Sequence, residues 1–228
     1  MSPESWQMLL DGLGVTLELS IISILLSLLL GTFLGILRVA PLAPLRVLVM
    51  GYVEFFRNIP LLIVLFFVYF GLPFAGVRFT SFTVPGTGLR VTNEIQAAIL
   101  GLSVYHAAYV TEVVRAGLQA IHVGQVEAAR ALGLNFAQMI RFVLLPQAFR
   151  MTMPPLGNVF IALSKNTSIA SAISVFELVK QADTIESRTF DPSAFIIAGL
   201  LYLVLTIPLS LGVNALEARL AVHGRGTR

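Results

Sequence analysis

The chain contains no cysteine. A disulfide framework, a cysteine-ligated zinc or iron–sulfur site and a thiol nucleophile are therefore all excluded. Histidine is almost as scarce, and His106, His122 and His223 do not form a metal-ligand spacing, so no metal site is expected. The phosphate-binding pattern G-x-x-x-x-G-K-[ST] is missing, and neither Lys165 nor Lys180 sits in a glycine-rich loop, so nucleotide hydrolysis by this chain is not expected. The first residues, MSPESWQMLLDG, hold Glu4 and Asp11 but no Lys or Arg. They lack the basic region of a cleaved signal peptide, and the first apolar segment is expected to stay in the mature protein. Charge is the largest deficit: only 12% of the 228 residues are charged, against 57% apolar. A soluble domain of this size needs more charged surface.

What is present is apolar sequence in long runs. Leu61 to Phe74, Ile95 to Val110 and Phe195 to Leu216 carry no charge, and Val15 to Leu37 carries only Glu18. Such runs approach or exceed the ~20 residues a spanning helix needs. They are too long for buried strands, and a barrel would alternate instead. The expected fold is an all-α polytopic membrane protein over residues 1–228, with about five spans near 13–37, 46–72, 95–117, 140–164 and 194–217. The net charge of +3 is spread over the ends of the runs rather than clustered, so lipid bilayer rather than nucleic acid is the expected surroundings. Ten of the fifteen basic residues lie around the first and third connections and in the tail. By the positive-inside rule these regions are cytoplasmic, which puts the N-terminus outside and the C-terminus inside.

The second span is irregular. Glu54 and Arg57 interrupt it and Asn58-Ile59-Pro60 follows, which predicts a kink or a short interfacial helix. The Gly/Pro-rich connection from Gly71 to Asn93 predicts an outside loop or short hairpin.

Between the third and fourth spans lies EAARALGLNFAQMIRFVLLP, Glu127 to Pro146, a polar helix-forming stretch interrupted by Gly133. Taken alone it is also what an amphipathic surface helix with a C-terminal glycine looks like. Glu127, Ala128, Ala129, Gly133, Val143, Leu145 and Pro146 resemble the EAA loop of ABC importer permeases. Further stretches resemble the polar amino-acid uptake family of such permeases: YVEFFRNIPLL (52–62), AAYVTEVVRAGLQAI (107–121), Leu144 through Asn158, and Lys165-Asn166-Thr167-Ser168. The ordered set covers about Gly12 to Leu220.

This resemblance implies a five-helix half-transporter in a bacterial inner membrane. It would pair with a second permease subunit, rest on a dimer of ATP-binding subunits, and receive its amino acid from an extracytoplasmic binding protein. The coupling segment is expected at 122–138, with Glu127, Ala128, Ala129, Gly133, Leu145 and Pro146 coupling the chain to the ATPase. The chain would be a non-catalytic translocation subunit without a cofactor of its own, ATP being bound by the partner. Leu163 to Ser171 and Leu205-Thr206-Ile207-Pro208 look similar to glutamate-type members, which favours an acidic substrate.

Charged and polar residues inside spans mark candidate pathway positions. A zwitterionic substrate needs a cation for its carboxylate and an acceptor for its ammonium, charges that Arg57 and Glu54 carry. Glu112 and Arg115, at the same i, i+3 spacing, read first as an ion pair, whereas for Glu54 and Arg57 the local pair and the pathway role stand as alternatives beside the Pro60 break. Lys165, Asn166, Thr167 and Ser168, at the outer end of the fourth span, are further donors or simply a helix terminus. His106 and Tyr109 read as packed side chains, and Ser20, Ser23, Ser27, Gly31 and Gly35 as a helix–helix interface. The competing readings are an ion-coupled secondary transporter, which needs an ion site and usually more spans, and an intramembrane hydrolase, which needs a nucleophile and base.

Overall fold

The computed structural model describes residues 1–84 and 90–221. Gly86, His223, Arg225 and Arg228 lie outside this range. Helix α1 spans Pro3–Leu37, 35 residues, or about 52 Å. It is opened by Ser2, whose Oγ accepts a hydrogen bond from Ser5 N at 3.1 Å, and by Pro3 at its first position. The stripe Ser20, Ser23, Ser27, Gly31 and Gly35 is buried and packs on α5 (Asn93–Gln119). A Cβ on Gly31 would lie 2.5 Å from the Val110 side chain and 2.8 Å from Ala107 O, so the two backbones meet at glycine distance. The buried hydroxyls are largely satisfied within α1: Ser20 donates to Thr16 O at 2.7 Å and Ser27 to Ile24 O at 3.0 Å.

The apolar run expected as one span at 46–72 is two helices. Helix α2 (Ala43–Asn58) ends at extended Ile59 (φ −101°, ψ 142°), and α3 (Leu61–Phe66) leaves Pro60 at 109° to it. Pro60 has no N–H to continue α2, and it forces Ile59 out of the helical region. A π-helical turn, Phe67–Gly71, and the short α4 (Leu72–Phe74) complete this arm. A second π-turn, Ile140–Leu144, separates α7 (Phe136–Met139) from α8 (Leu145–Asn166). Both π-turns run into a Leu-Pro pair. Leu72 N bonds back five residues to Phe67 O, and Leu145 N to Ile140 O. The following Pro73 and Pro146 cannot donate, so the ladder is widened where the next α-type bond is missing.

Strands β1 (Phe82–Thr83) and β2 (Arg90–Val91) pair antiparallel, so the second connection forms a short hairpin. Helix α6 (Val123–Ala131) precedes α7. After α8 the chain tightens into a 3₁₀ segment, Thr167–Ile173, and turns at Ser174 (φ 62°). It then enters α9 (Leu178–Thr189) at 48° and finishes in α10 (Ser193–Ala221). The sequence places α9 in the fourth connection because of its charges. Its inner face, Leu178, Ala182 and Ile185, packs with Leu9, Ala194 and Ala198, while Lys180 pairs outward with Asp183 at 2.9 Å.

Among the described residues, Pro3–Leu37, Asn93–Gln119 and Ser193–Arg219 are long and apolar enough to cross a membrane singly. The bent pairs, Ala43–Asn58 with Leu61–Phe74 and Phe136–Ile173 with Leu178–Thr189, raise the total to five if each counts as one span. The expected spans 13–37, 95–117 and 194–217 fall within single helices, and 140–164 begins in the π-turn before α8.

Candidate coupling segment and polar cavity

The segment 122–138 is built as two short helices joined by a fixed turn. His122 caps α6, its Nδ1 accepting from Gly124 N at 3.1 Å. Ala129, 3% exposed, seats α6 against the cluster holding Met139 and Ile140. Glu127 and Ala128 stay exposed, as do Val123 and Leu132, the latter at 79%. α6 and its C-cap residue Leu132 therefore present apolar and small side chains to the outside beside the polar Gln125, Glu127 and Arg130. At its end Gly133 takes φ +75°. Gly133 N bonds to Arg130 O at 2.9 Å and Leu134 N to Ala129 O at 3.2 Å, the two bonds of a Schellman turn. Nothing lies within 4 Å of where a Cβ on Gly133 would stand, so its conformation, not its space, calls for glycine. Helix α7 starts at once with a capping box: Asn135 Oδ1 accepts from Gln138 N at 2.9 Å, and Gln138 Oε1 from Asn135 N at 3.0 Å. Leu145 is half-buried, and exposed Pro146 lies in the first turn of α8.

A second constellation lies between α5 and α8. Tyr105, His106, Tyr109, Asn158, Ala162 and Asn166 line a cavity of about 340 Å³. His106 is 2% exposed and bonded on both ring nitrogens. Nδ1 lies 2.9 Å from Leu102 O and Nε2 lies 3.1 Å from Asn166 Nδ2. A neutral ring with its proton on Nδ1 satisfies both contacts and leaves Asn166 Oδ1 available. The Tyr105 and Tyr109 hydroxyls are 3.1 Å apart. Arg57 reaches this group from α2, its guanidinium 5.7 Å from the centre of the Tyr109 ring, in cation–π range.

The remaining sequence candidates divide. Glu54 does not hold Arg57. Its carboxylate accepts from Asn58 Nδ2 at 3.2 Å, and the same amide donates to Glu54 O at 2.7 Å. The i, i+3 spacing allows the pair, but Asn58 takes Glu54 along the helix while Arg57 turns to an aromatic face on α5. Glu112 and Arg115 form an ion pair, with Arg115 Nε donating to Glu112 Oε1 at 2.9 Å and Arg38 of the first connection 3.9 Å from Glu112 Oε2. Of the Lys165–Ser168 group only Asn166 reaches the cavity. Thr167 is buried and donates to Ser164 O at 2.8 Å, Ser168 donates to Lys165 O at 2.8 Å, and Lys165 is exposed.

The sequence gives no pointer to Glu177. It is 0% exposed and caps α9, accepting from Val179 N at 2.9 Å, Lys180 N at 2.8 Å and Tyr202 Oη at 3.0 Å. Thr16 of α1 accepts from Leu178 N at 3.1 Å, so α1, α9 and α10 are tied together at one point.

Residues 24–222 match the family described as binding-protein-dependent transport system inner membrane component. The chain is 42% identical over 220 residues to the probable glutamine ABC transporter permease protein GlnM of Bacillus subtilis (strain 168), covering 95% of each chain. It is 38% identical over 216 residues to the glutamate transport system permease protein GluC of Corynebacterium glutamicum, covering 94% of each. Among solved structures it is similar to a chain of an amino acid ABC transporter crystallised with histidines, at 32% identity and a TM-score of 0.80, covering 95% of each chain.

Proposed function

Because the chain belongs to the binding-protein-dependent transport system inner membrane components, as a non-catalytic amino-acid ABC importer permease, we propose that it imports acidic or amide amino acids. On this reading glutamate is the preferred substrate and the α5–α8 cavity lies on its path. The observation that carries the proposal is the charge beside that cavity: the Arg57 guanidinium lies over Tyr109, one of its lining residues, and no carboxylate lines it among the described residues. Such a charge favours a substrate with a second carboxylate or an amide over a cationic one. Arg57 can grip a carboxylate with two parallel hydrogen bonds. The free Asn166 Oδ1 and the tyrosine hydroxyls offer acceptors for the ammonium.

The working assembly on this reading has two permease subunits, two ATP-binding subunits and an extracytoplasmic binding protein. The N-terminus is outside and α6, with Glu127, Ala128, Ala129 and Gly133, docks on the ATPase. The exposed apolar and small residues of α6 suit insertion into a groove. ATP is held by the partner, and this chain carries no cofactor. The test is competition in proteoliposomes holding the whole transporter: labelled glutamate against excess glutamate, glutamine, arginine and alanine. The proposal expects glutamate and glutamine to compete and arginine not to. Strong competition by arginine contradicts it.

A further inference from the structure

A separate cavity of about 550 Å³ lies behind α6, between it and the ends of α1, α2 and α5. Arg38, Arg46 and Arg130 line it, each from a different part of the chain. Among the described residues no carboxylate does. Its walls are otherwise mainly apolar, including Leu118, Val126 and Met139. The cations are incompletely neutralised. Arg38 Nε is buried without a hydrogen-bond partner, and the nearest acid, Glu112, is 3.9 Å from Arg38 and bonded at its other oxygen to Arg115. Arg46 gives one N–H to Ala40 O at 3.1 Å, which leaves four of its five donors. Like charges converging on one concavity are unfavourable unless an anion stands between them. Guanidinium is also the group best matched to phosphate.

We propose that this cavity binds the phosphate headgroup of an anionic phospholipid, with the glycerol and first acyl carbons along its apolar wall. The inference rests on the orientation given above, which places the cavity at the cytoplasmic leaflet, where anionic lipid is enriched and basic pockets between helices hold headgroups. The volume lies within the ordinary range for small-molecule sites. Because Val126 and Arg130 of α6 form one wall, the lipid would brace the docking helix from behind.

The test is native mass spectrometry of the whole transporter in detergent, stripped of lipid and titrated with phosphatidylglycerol or phosphatidylcholine. Each arginine near an anionic headgroup is worth roughly fivefold in affinity. The expected result is therefore preferential retention of phosphatidylglycerol, reduced roughly thirtyfold in Arg46→Gln/Arg130→Gln. In Arg46→Lys/Arg130→Lys, which keeps the charge, most of it should be preserved. Equal retention of the two lipids overturns the proposal, as does an unchanged Gln double variant. Displacement of the lipid by millimolar inorganic phosphate alone overturns the lipid assignment in favour of a free anion. Detergent solution has no sidedness, and lipid retention is read without turnover. A failure here is therefore distinct from a failure of the orientation or of the coupling assignment.

Discussion

Arg57 makes no bond to the carboxylate three residues before it, and this decides what its removal does. Its guanidinium lies over Tyr109, which lines the α5–α8 cavity, while Glu54 is occupied by Asn58. Uptake per folded transporter is therefore expected to fall about tenfold or more in Arg57→Ala, the loss of one charge-assisted hydrogen bond of ~1.5–3 kcal/mol. Arg57→Lys should fall less, since it keeps the charge but not the fork. Glu54→Ala added to Arg57→Ala should not restore transport, because no pair is being relieved. Recovery in the double variant would show that the two residues act as an ion pair. The sequence made both residues visible as charges in an apolar run. It could not show which neighbour each would choose, because Tyr109 comes from another helix. His106, Asn158 and Asn166 illustrate the same limit: α5 and α8 bring them together across a long stretch of chain, and no spacing announces it.

At the scale of elements, the packing face of α1 was the most legible feature, though not its partner. Small residues repeating every three or four positions announce a close helix pair, and Gly31 and Gly35 sit on Val110 and Val114. Gly31→Val should therefore lower the thermal midpoint of the purified transporter by several degrees. It forces bulk against Val110 and the Ala107 carbonyl, an overpacking of ~1–3 kcal/mol. An unchanged midpoint would mean the helices can separate freely. The Pro60 break was legible as a break, since proline dictates the missing donor, but its 109° angle was not. Beyond the break α3 packs on α5 and on the 3₁₀ segment Thr167–Ile173, both distant in sequence. Helix α9 was hidden by its own outer face: Lys180, Asp183, Glu186 and Arg188 are the charges of a connection between spans, although Leu178, Ala182 and Ile185 keep a helical period. The capping box at Asn135 makes the start of α7 a defined joint. Asn135→Ala removes about 1 kcal/mol from it, and a partial loss of transport coupling at normal protein level is expected, measured as uptake per ATP hydrolysed.

At the scale of the whole molecule, the account requires that the hairpin connection and α6 lie on opposite faces of the membrane. The native chain has no cysteine, so single cysteines report cleanly. Gly86, the natural choice in the connection Gly71 to Asn93, lies outside the described residues. Val77, 47% exposed in the same connection, serves instead. Val77→Cys should label from outside in intact cells with an impermeant maleimide, and Gln138→Cys only after permeabilisation. The reverse pattern would invert the topology. The central claim is that work from ATP enters this chain through α6 and its glycine turn. Gly133 occupies φ +75° with open space around it, so Gly133→Val strains the turn by ~1–3 kcal/mol without a clash elsewhere. It should redirect α6 while leaving the bundle intact. The decisive measurement is amino acid imported per ATP hydrolysed by the full transporter in proteoliposomes, native against Gly133→Val, at equal amounts of assembled protein. The account predicts that hydrolysis continues while the ratio falls at least about tenfold. An assembled Gly133→Val transporter with an unchanged ratio would contradict it.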